Sequence, residues 1–154
     1  MASLFVIATP IGNRKDITLR ALETMFSVDV LLCEDTRKTR QLLDFYRQEF
    51  PTLPSYENIH TSRHPQLVSF FEHNEEKRIG EVLDYLEQGL NVGLVTNAGT
   101  PTISDPGFKL IKVCREEEKE VVSIPGPSAL IAALSVSGLS ADKVTYLGFL
   151  PRKA

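Results

Sequence analysis

The chain has 154 residues, 42% of them apolar and 24% charged, with a formal net charge of −3. Surface scaling for this size gives about 7,800 Å² exposed when folded against about 25,000 Å² unfolded, so a core forms without staples. Disordered, collagen-like and coiled-coil chains are excluded by this composition. No apolar run approaches the roughly 18 residues of a membrane span, and residues 1–8 lack the basic start of a signal peptide. Cys33 and Cys114 match no zinc spacing and read as buried, reduced thiols. The expectation is a cytoplasmic protein with no membrane contact, in which any nucleic-acid contact comes from a local basic patch.

In chain order, residues 4–8 form a continuous apolar run, the pattern of a strand buried on both faces. The run breaks at Thr9-Pro10-Ile11-Gly12-Asn13. Asp16 then opens a helix with Thr18, Ala21, Leu22 and Met25 on one face. A second strand spans 28–33 and runs into Glu34-Asp35-Thr36-Arg37. The next helix carries Thr39, Leu42, Leu43 and Tyr46 on one stripe. Residues 50–66, with Pro51, Pro54 and Pro65, read as a long surface loop.

A third strand is expected at 67–71. Asn74 is placed to cap a helix whose apolar positions are Ile79, Val82, Leu83 and Leu86, and Gly89 closes it. A fourth strand at 91–96 ends in Asn97-Ala98-Gly99-Thr100-Pro101. Ser104 or Asp105 caps a helix bearing Phe108, Ile111 and Cys114. A fifth strand at 121–124 breaks at Pro125-Gly126-Pro127-Ser128, a helix of small and apolar residues covers 129–136, and 144–147 reads as a last strand.

Strands alternating with helices predict an α/β fold, a three-layer α/β/α domain with a mainly parallel sheet of about five strands. In such sheets ligands bind outside the carboxyl ends of the strands. Three special turns fall there, at 9–13, 97–101 and 125–128. With no G-x-G-x-x-G and no P-loop lysine motif, a standard dinucleotide site and a Walker-type nucleotidase are excluded. The small residues 97–101 expose backbone groups suited to a zwitterionic, adenosine-like ligand. Glu34 and Asp35, with Arg37 and Arg40, form either surface ion pairs or a polar rim where a carboxylate meets a hydroxyl and arginines meet phosphates. His60 and His64 stand at i and i+4 without an acidic or thiol partner nearby, so no metal is expected. Phe45, Tyr46, Phe50, Phe70 and Phe71 fit core packing better than a base-stacking platform.

Taken together, Ala8-Thr9-Pro10-Ile11-Gly12-Asn13, Glu34-Asp35-Thr36-Arg37, Glu72-His73-Asn74-Glu75, Ala98-Gly99-Thr100-Pro101, Ser104-Asp105-Pro106-Gly107, Ile124-Pro125-Gly126-Pro127-Ser128-Ala129 and Gly148-Phe149-Leu150-Pro151-Arg152-Lys153 resemble, in order, the tetrapyrrole methylase-like superfamily. Within it they resemble the N-terminal domain of the branch that 2′-O-methylates a cytidine of small-subunit ribosomal RNA. The resemblance implies an enzyme using S-adenosyl-L-methionine as methyl donor, held in a cleft between two domains, and a homodimer. It implies that residues 1–150 are the first domain and 151–154 the start of a linker to a second, and that this domain alone is inactive. Pro10, Gly12, Asn97, Ala98, Gly99, Ser128 and Ala129 then become cofactor-binding positions. Asp35 becomes the group that orients or deprotonates the hydroxyl with Glu34 beside it, and Arg37 and Arg40 become RNA contacts.

Three departures stand against that pattern. The family usually has Ser-Asp where this chain has Thr96-Asn97, it usually has Gly at Thr102, and residues 50–66 are longer than its connection. Methylation of a tetrapyrrole carbon on the same fold, and a non-catalytic binding module, are the alternative readings.

Overall fold

The computed structural model describes residues 2–50 and 64–149. Among them run β1 (Ser3–Ile7), a 3₁₀ turn (Arg14–Asp16), α1 (Leu19–Ser27), β2 (Val30–Cys33), α2 (Thr36–Glu49), β3 (Gln66–Ser69), α3 (Glu75–Glu87), β4 (Val92–Val95), α4 (Phe108–Glu116), β5 (Glu120–Ile124) and α5 (Ala129–Val136). All strand pairs are parallel, in the order β3-β2-β4-β1-β5.

Strand alternation divides the core. Ile7, Leu31, Cys33, Val95 and Ile124 meet α1 and α2 on one face, where Ala21, Leu22, Met25, Phe26, Leu43 and Tyr46 are buried. Leu4, Val30, Leu32, Val68, Val92 and Leu94 meet α3 and α4 on the other, against Val82, Leu86, Leu110 and Cys114. The result is the expected three-layer α/β/α domain, because a strand buried on both faces needs apolar residues at successive positions. Gly93 leaves room for the side chains of the neighbouring strands. A Cβ there would lie 2.7 Å from Leu31 Cδ1 and 3.0 Å from Ile7 Cδ1. Cys33 and Cys114 are free and buried, and burial pushes both thiols up to about 11. Phe70 and Tyr46 are fully buried and Phe45 and Phe50 pack on the core, while Phe71 is exposed. No described helix is long and apolar enough to cross a membrane.

Several boundaries differ from the sequence expectation. The helix expected from Asp16 is a 3₁₀ turn capped by Asn13, and α1 starts after Thr18, whose Oγ1 accepts from the Ala21 N–H. Asn74 sits at the start of α3 without capping it. Its Oδ1 accepts from the Phe71 N–H and its Nδ2 donates to Ser69 O, pinning the β3–α3 turn. Neither Ser104 nor Asp105 caps α4. Gly107 does, at φ 124°, and the Glu75 carboxylate accepts from the N–H groups of Gly107 and Lys109.

The expected strand at 144–147 does not form. The segment pairs with no strand of the sheet, which ends at β5, and Tyr146 shares a 2.5 Å hydrogen bond with Ser104. Residues 51–63, which hold His60 and most of the loop expected at 50–66, and residues 150–154 lie outside the described residues.

α5 forms where expected but buries nothing. Its sequence is apolar almost all round, a pattern normally reserved for covered helices, yet Ile131 is 61% and Val136 83% exposed.

Candidate functional site

The strand order sets the position of the site. From β1 the chain leaves toward β2 and β3. From neighbouring β4 it leaves the opposite way, toward β5. The two connections take opposite faces of the sheet, α1 on one and α4 on the other, and the crevice that opens between them is where ligands enter open parallel sheets. The loops following β1 and β4 meet at this point: Thr9 N–H donates to Gly99 O at 2.9 Å and Gly99 N–H to Thr9 O at 3.0 Å. Thr9 Oγ1 also donates to Thr96 O at 3.1 Å. Gly99 holds φ 81°, a conformation that favours glycine.

The turn after β5 joins the same cluster. Ala8 N–H donates to Ile124 O at 3.2 Å, and Thr100 Oγ1 to Pro127 O at 3.4 Å. Gly126 comes so near β1 that a Cβ on it would lie 2.8 Å from that of Ala8. Arg20 Nη2 donates to Ser123 O at 2.8 Å, tying β5 to α1, and Thr18 Oγ1 donates to Pro125 O at 3.4 Å. The three special turns therefore converge at the strand carboxyl ends.

Two hollows flank the loop after β1. The first, of about 420 Å³, lies between that loop, α2 and residues 95–98. Pro10, Gly12, Asn97 and Ala98 line it, together with Arg14, Lys38 and Gln41, which sequence reasoning missed. The second, of about 510 Å³, is walled by Ile11, Pro125, Gly126, Pro127 and Ala132, with polar groups from Asp16, Thr18 and Ser128. Gly99 is buried in the bridge between the loops, and Ala129 opens α5 next to Ser128.

The carboxylates after β2 are already engaged. Glu34 Oε2 accepts from the Asn97 N–H at 3.0 Å, holding the loop after β4 against β2. Asp35 caps α2 by accepting from the Arg37 N–H at 2.9 Å, and its Oδ2 meets Arg37 Nη2 at 3.1 Å. The Arg37 side chain holds the Asp35 carboxyl below the usual carboxylate range. Arg37 is exposed and paired with Asp35. Arg40 lines a separate hollow with Leu43, Asp44, Arg47 and His64, so it is not brought to the first hollow.

Asp105, a second residue whose role the sequence did not expose, is pushed up by burial and by the charge of Glu34, against a hydrogen bond with Thr96. Nearby, Thr102 and Ser104 hold φ 74° and 62°, in the left-handed region. Among the described residues no group of His, Cys, Asp and Glu is arranged to hold a metal.

Comparison with known proteins identifies the family. Residues 3–151 match the family model described as Tetrapyrrole (Corrin/Porphyrin) Methylases. The chain belongs to this family. Among tetrapyrrole methylase relatives, a protein of Thermotoga maritima named ribosomal RNA small subunit methyltransferase I is 46% identical over 152 residues, covering 99% of this chain and 62% of its own length. A protein of the same name from Escherichia coli O157:H7 is 42% identical, covering 98% of this chain and 48% of its own length. The chain thus spans about half to three-fifths of these curated relatives.

Solved structures share the fold. Uroporphyrin-III-C-methyltransferase from Thermus thermophilus aligns with TM-score 0.58 at 16% identity over 91% of this chain and 53% of its own. A conserved hypothetical protein from Aeropyrum pernix K1 aligns with TM-score 0.62 at 19% identity over 90% of this chain and 44% of its own.

Proposed function

We propose that this tetrapyrrole methylase domain supplies one wall of an S-adenosylmethionine-dependent methyltransferase acting on small-subunit ribosomal RNA in the cytoplasm, with a cytidine 2′-hydroxyl as acceptor. The observation that carries the reading is the Thr9–Gly99 bridge, which joins two hollows of different chemistry at the diverging strand ends. The names of the relatives favour a ribosomal RNA substrate.

The second hollow fits the methyl donor by its donor set. Its apolar prolines and Ile11 suit a purine or thioether carbon. Asp16 suits a positive sulfonium or ribose hydroxyls, and Ser128 and the main chain suit the amino-acid end. Ser128 lines it, and Gly99 and Ala129 are assigned to its edge. Pro10, Gly12, Asn97 and Ala98 line the first hollow instead, and Ile11 is the residue common to both. The donor supplies an electrophilic methyl group.

The chain's residues align the acceptor and take its proton. Arg37 stabilises the charged form of Asp35 and so weakens it as a proton acceptor. Glu34 keeps one oxygen on the Asn97 N–H, which leaves the other for a hydroxyl. Asp105, whose affinity for a proton is raised by burial and by the Glu34 charge, stands close enough to feel that charge. The exposed apolar face of α5 supports a homodimer or a second domain packed there.

The test is calorimetric titration of the chain with S-adenosylmethionine, then methyl transfer to small ribosomal subunits by a full-length relative carrying Glu34→Gln at the aligned position. Donor binding that ignores substitution of Gly99 and Ser128, or unchanged turnover in the Glu34→Gln form, would sink the assignment.

A further inference from the structure

The geometry points to the first hollow as a seat for RNA phosphates, gripped by Arg14 and Lys38. This rests on the methyltransferase reading for the identity of the polymer, but not for the charge pattern.

The chain as a whole is acidic, with a net charge of −3. Two arginines of α2 are neutralised locally. Arg37 is paired with Asp35, and Arg47 meets Asp44 at 2.8 Å. Among the described residues Arg14 and Lys38 have no such carboxylate partner, and both line the hollow of about 420 Å³. They come from different elements, the loop after β1 and the first turn of α2, so the fold converges two positive charges on one concave surface.

Arg14 is also held in place. Its guanidinium lies over the Phe45 ring at 4.7 Å, and its main-chain oxygen accepts from Tyr46 Oη at 2.8 Å. Asn13 caps the turn that carries it by accepting from the Lys15 N–H at 3.0 Å. A fixed, stacked guanidinium keeps its N–H edge free for an anion.

The remaining polar wall is neutral, with Gln41, Thr96 and Asn97. Two cations among amides and hydroxyls suit a phosphodiester flanking an unpaired nucleotide. They do not suit the sulfonium of the methyl donor, which like charges repel. The Asp16-lined hollow across the loop answers that need. Arg40 is two residues from Lys38, roughly 200° around α2, and lines the other hollow. It therefore serves as an internal control.

The experiment measures binding of a fluorescein-labelled, 12-nucleotide single-stranded RNA to the 154-residue chain by anisotropy between 50 and 200 mM NaCl. It compares the unaltered chain, Arg14→Gln, Lys38→Gln, the double variant and Arg40→Gln, each checked for folding by circular dichroism. The slope of log affinity against log salt should flatten by about 0.7 in each single variant and about 1.4 in the double, one phosphate contact per cation. Arg40→Gln should leave it unchanged, and calorimetry with S-adenosylmethionine should give the same affinity for all five proteins.

Lys38 sits on an exposed helical position, so Lys38→Gln remains informative if Arg14→Gln folds poorly. No measurable RNA binding by the unaltered chain overturns the inference. So does a slope that ignores Arg14 and Lys38, or a loss that falls on the methyl donor instead. Failure of donor binding with the slopes as expected would overturn the methyltransferase reading and leave the phosphate site standing.

Discussion

Glu34 holds Asn97 by its main chain, Oε2 accepting the N–H at 3.0 Å, so the loop after β4 is anchored independently of the Asn97 side chain. Asn97 is exposed. Asn97→Asp, which restores the carboxylate usual in the family, adds a third negative charge to the neighbourhood of Glu34 and Asp105. A hydrated charge there costs about 1 kcal/mol or less. Calorimetry should therefore give donor dissociation constants within about fivefold for the two forms. A clear loss of affinity in the Asp form would show the loop remodelled around the amide.

Asp105→Asn is expected to stabilise the chain at neutral pH. The folded state raises the affinity of Asp105 for its proton, first by burial and then by Glu34. An acid held above its unfolded value binds more protons folded than unfolded. Stability is therefore lost as pH rises from about 3.9 through the folded value. Above that window the ionised group is a cost, and Asn removes it while keeping an acceptor for Thr96. Asp105 is only partly buried, so screening keeps the gain near 2 °C in melting temperature. Melting curves from pH 3 to 8 should show the gain at pH 7 and its disappearance at the acid end. A variant that melts lower at pH 7 would contradict the sign.

Thr102→Gly addresses the strained segment before α4. Thr102 holds φ 74°, which costs a non-glycine residue about 1–2 kcal/mol. Glycine returns about 0.5–1 kcal/mol of that as unfolded-state entropy. The net expectation is a stabilisation of about 0.5–1 kcal/mol by urea denaturation. A destabilised variant would mean that the Thr102 methyl, 3.1 Å from where a Cβ on Gly107 would lie, contributes more by packing than the strain removes.

Gly126→Ala should do the opposite. The new methyl meets Ala8 Cβ at 2.8 Å and Ala8 O at 3.4 Å, and neither can swing away. The expected loss is about 1–3 kcal/mol, together with weakened donor binding as the Pro125–Pro127 turn lifts from β1. Equal donor affinity in the variant would detach the second hollow from the donor.

The 154-residue chain assayed beside the full-length Thermotoga protein should fold, bind the donor weakly and turn over at least about 100-fold more slowly on small ribosomal subunits, because a single wall leaves the acceptor unaligned. Comparable turnover would place the whole active site within these residues.

The layers were legible because Leu31, Leu32 and Cys33 are apolar at successive positions, which only a doubly covered strand tolerates. The converging turns were legible because Gly99 and Gly126 sit just past apolar runs. Arg14 and Lys38 were not legible as a pair, since their meeting depends on how α2 is rotated over the sheet, and sequence spacing carries no such angle. The cap of α4 was misread for a similar reason. Asp105 has the right side chain for a cap, but Glu75, 32 residues from Gly107, supplies the carboxylate instead. The strand expected at 144–147 had the right residues and lacked a neighbour, which periodicity does not report.

The position of β1 in the sheet has a consequence for synthesis. Its neighbours are β4 and β5, and Ser3 bonds across sequence gaps of 88 and 117 residues to Asn91 and Glu120. Both partners of β1 are thus made long after β1 itself. Until β4 and β5 emerge, the apolar stretch from Leu4 to Ile7 has no strand to pair with, and closing so long a loop is slow. Chaperone capture at that segment, or swapping of β1 between neighbouring chains, is the failure this strand order invites.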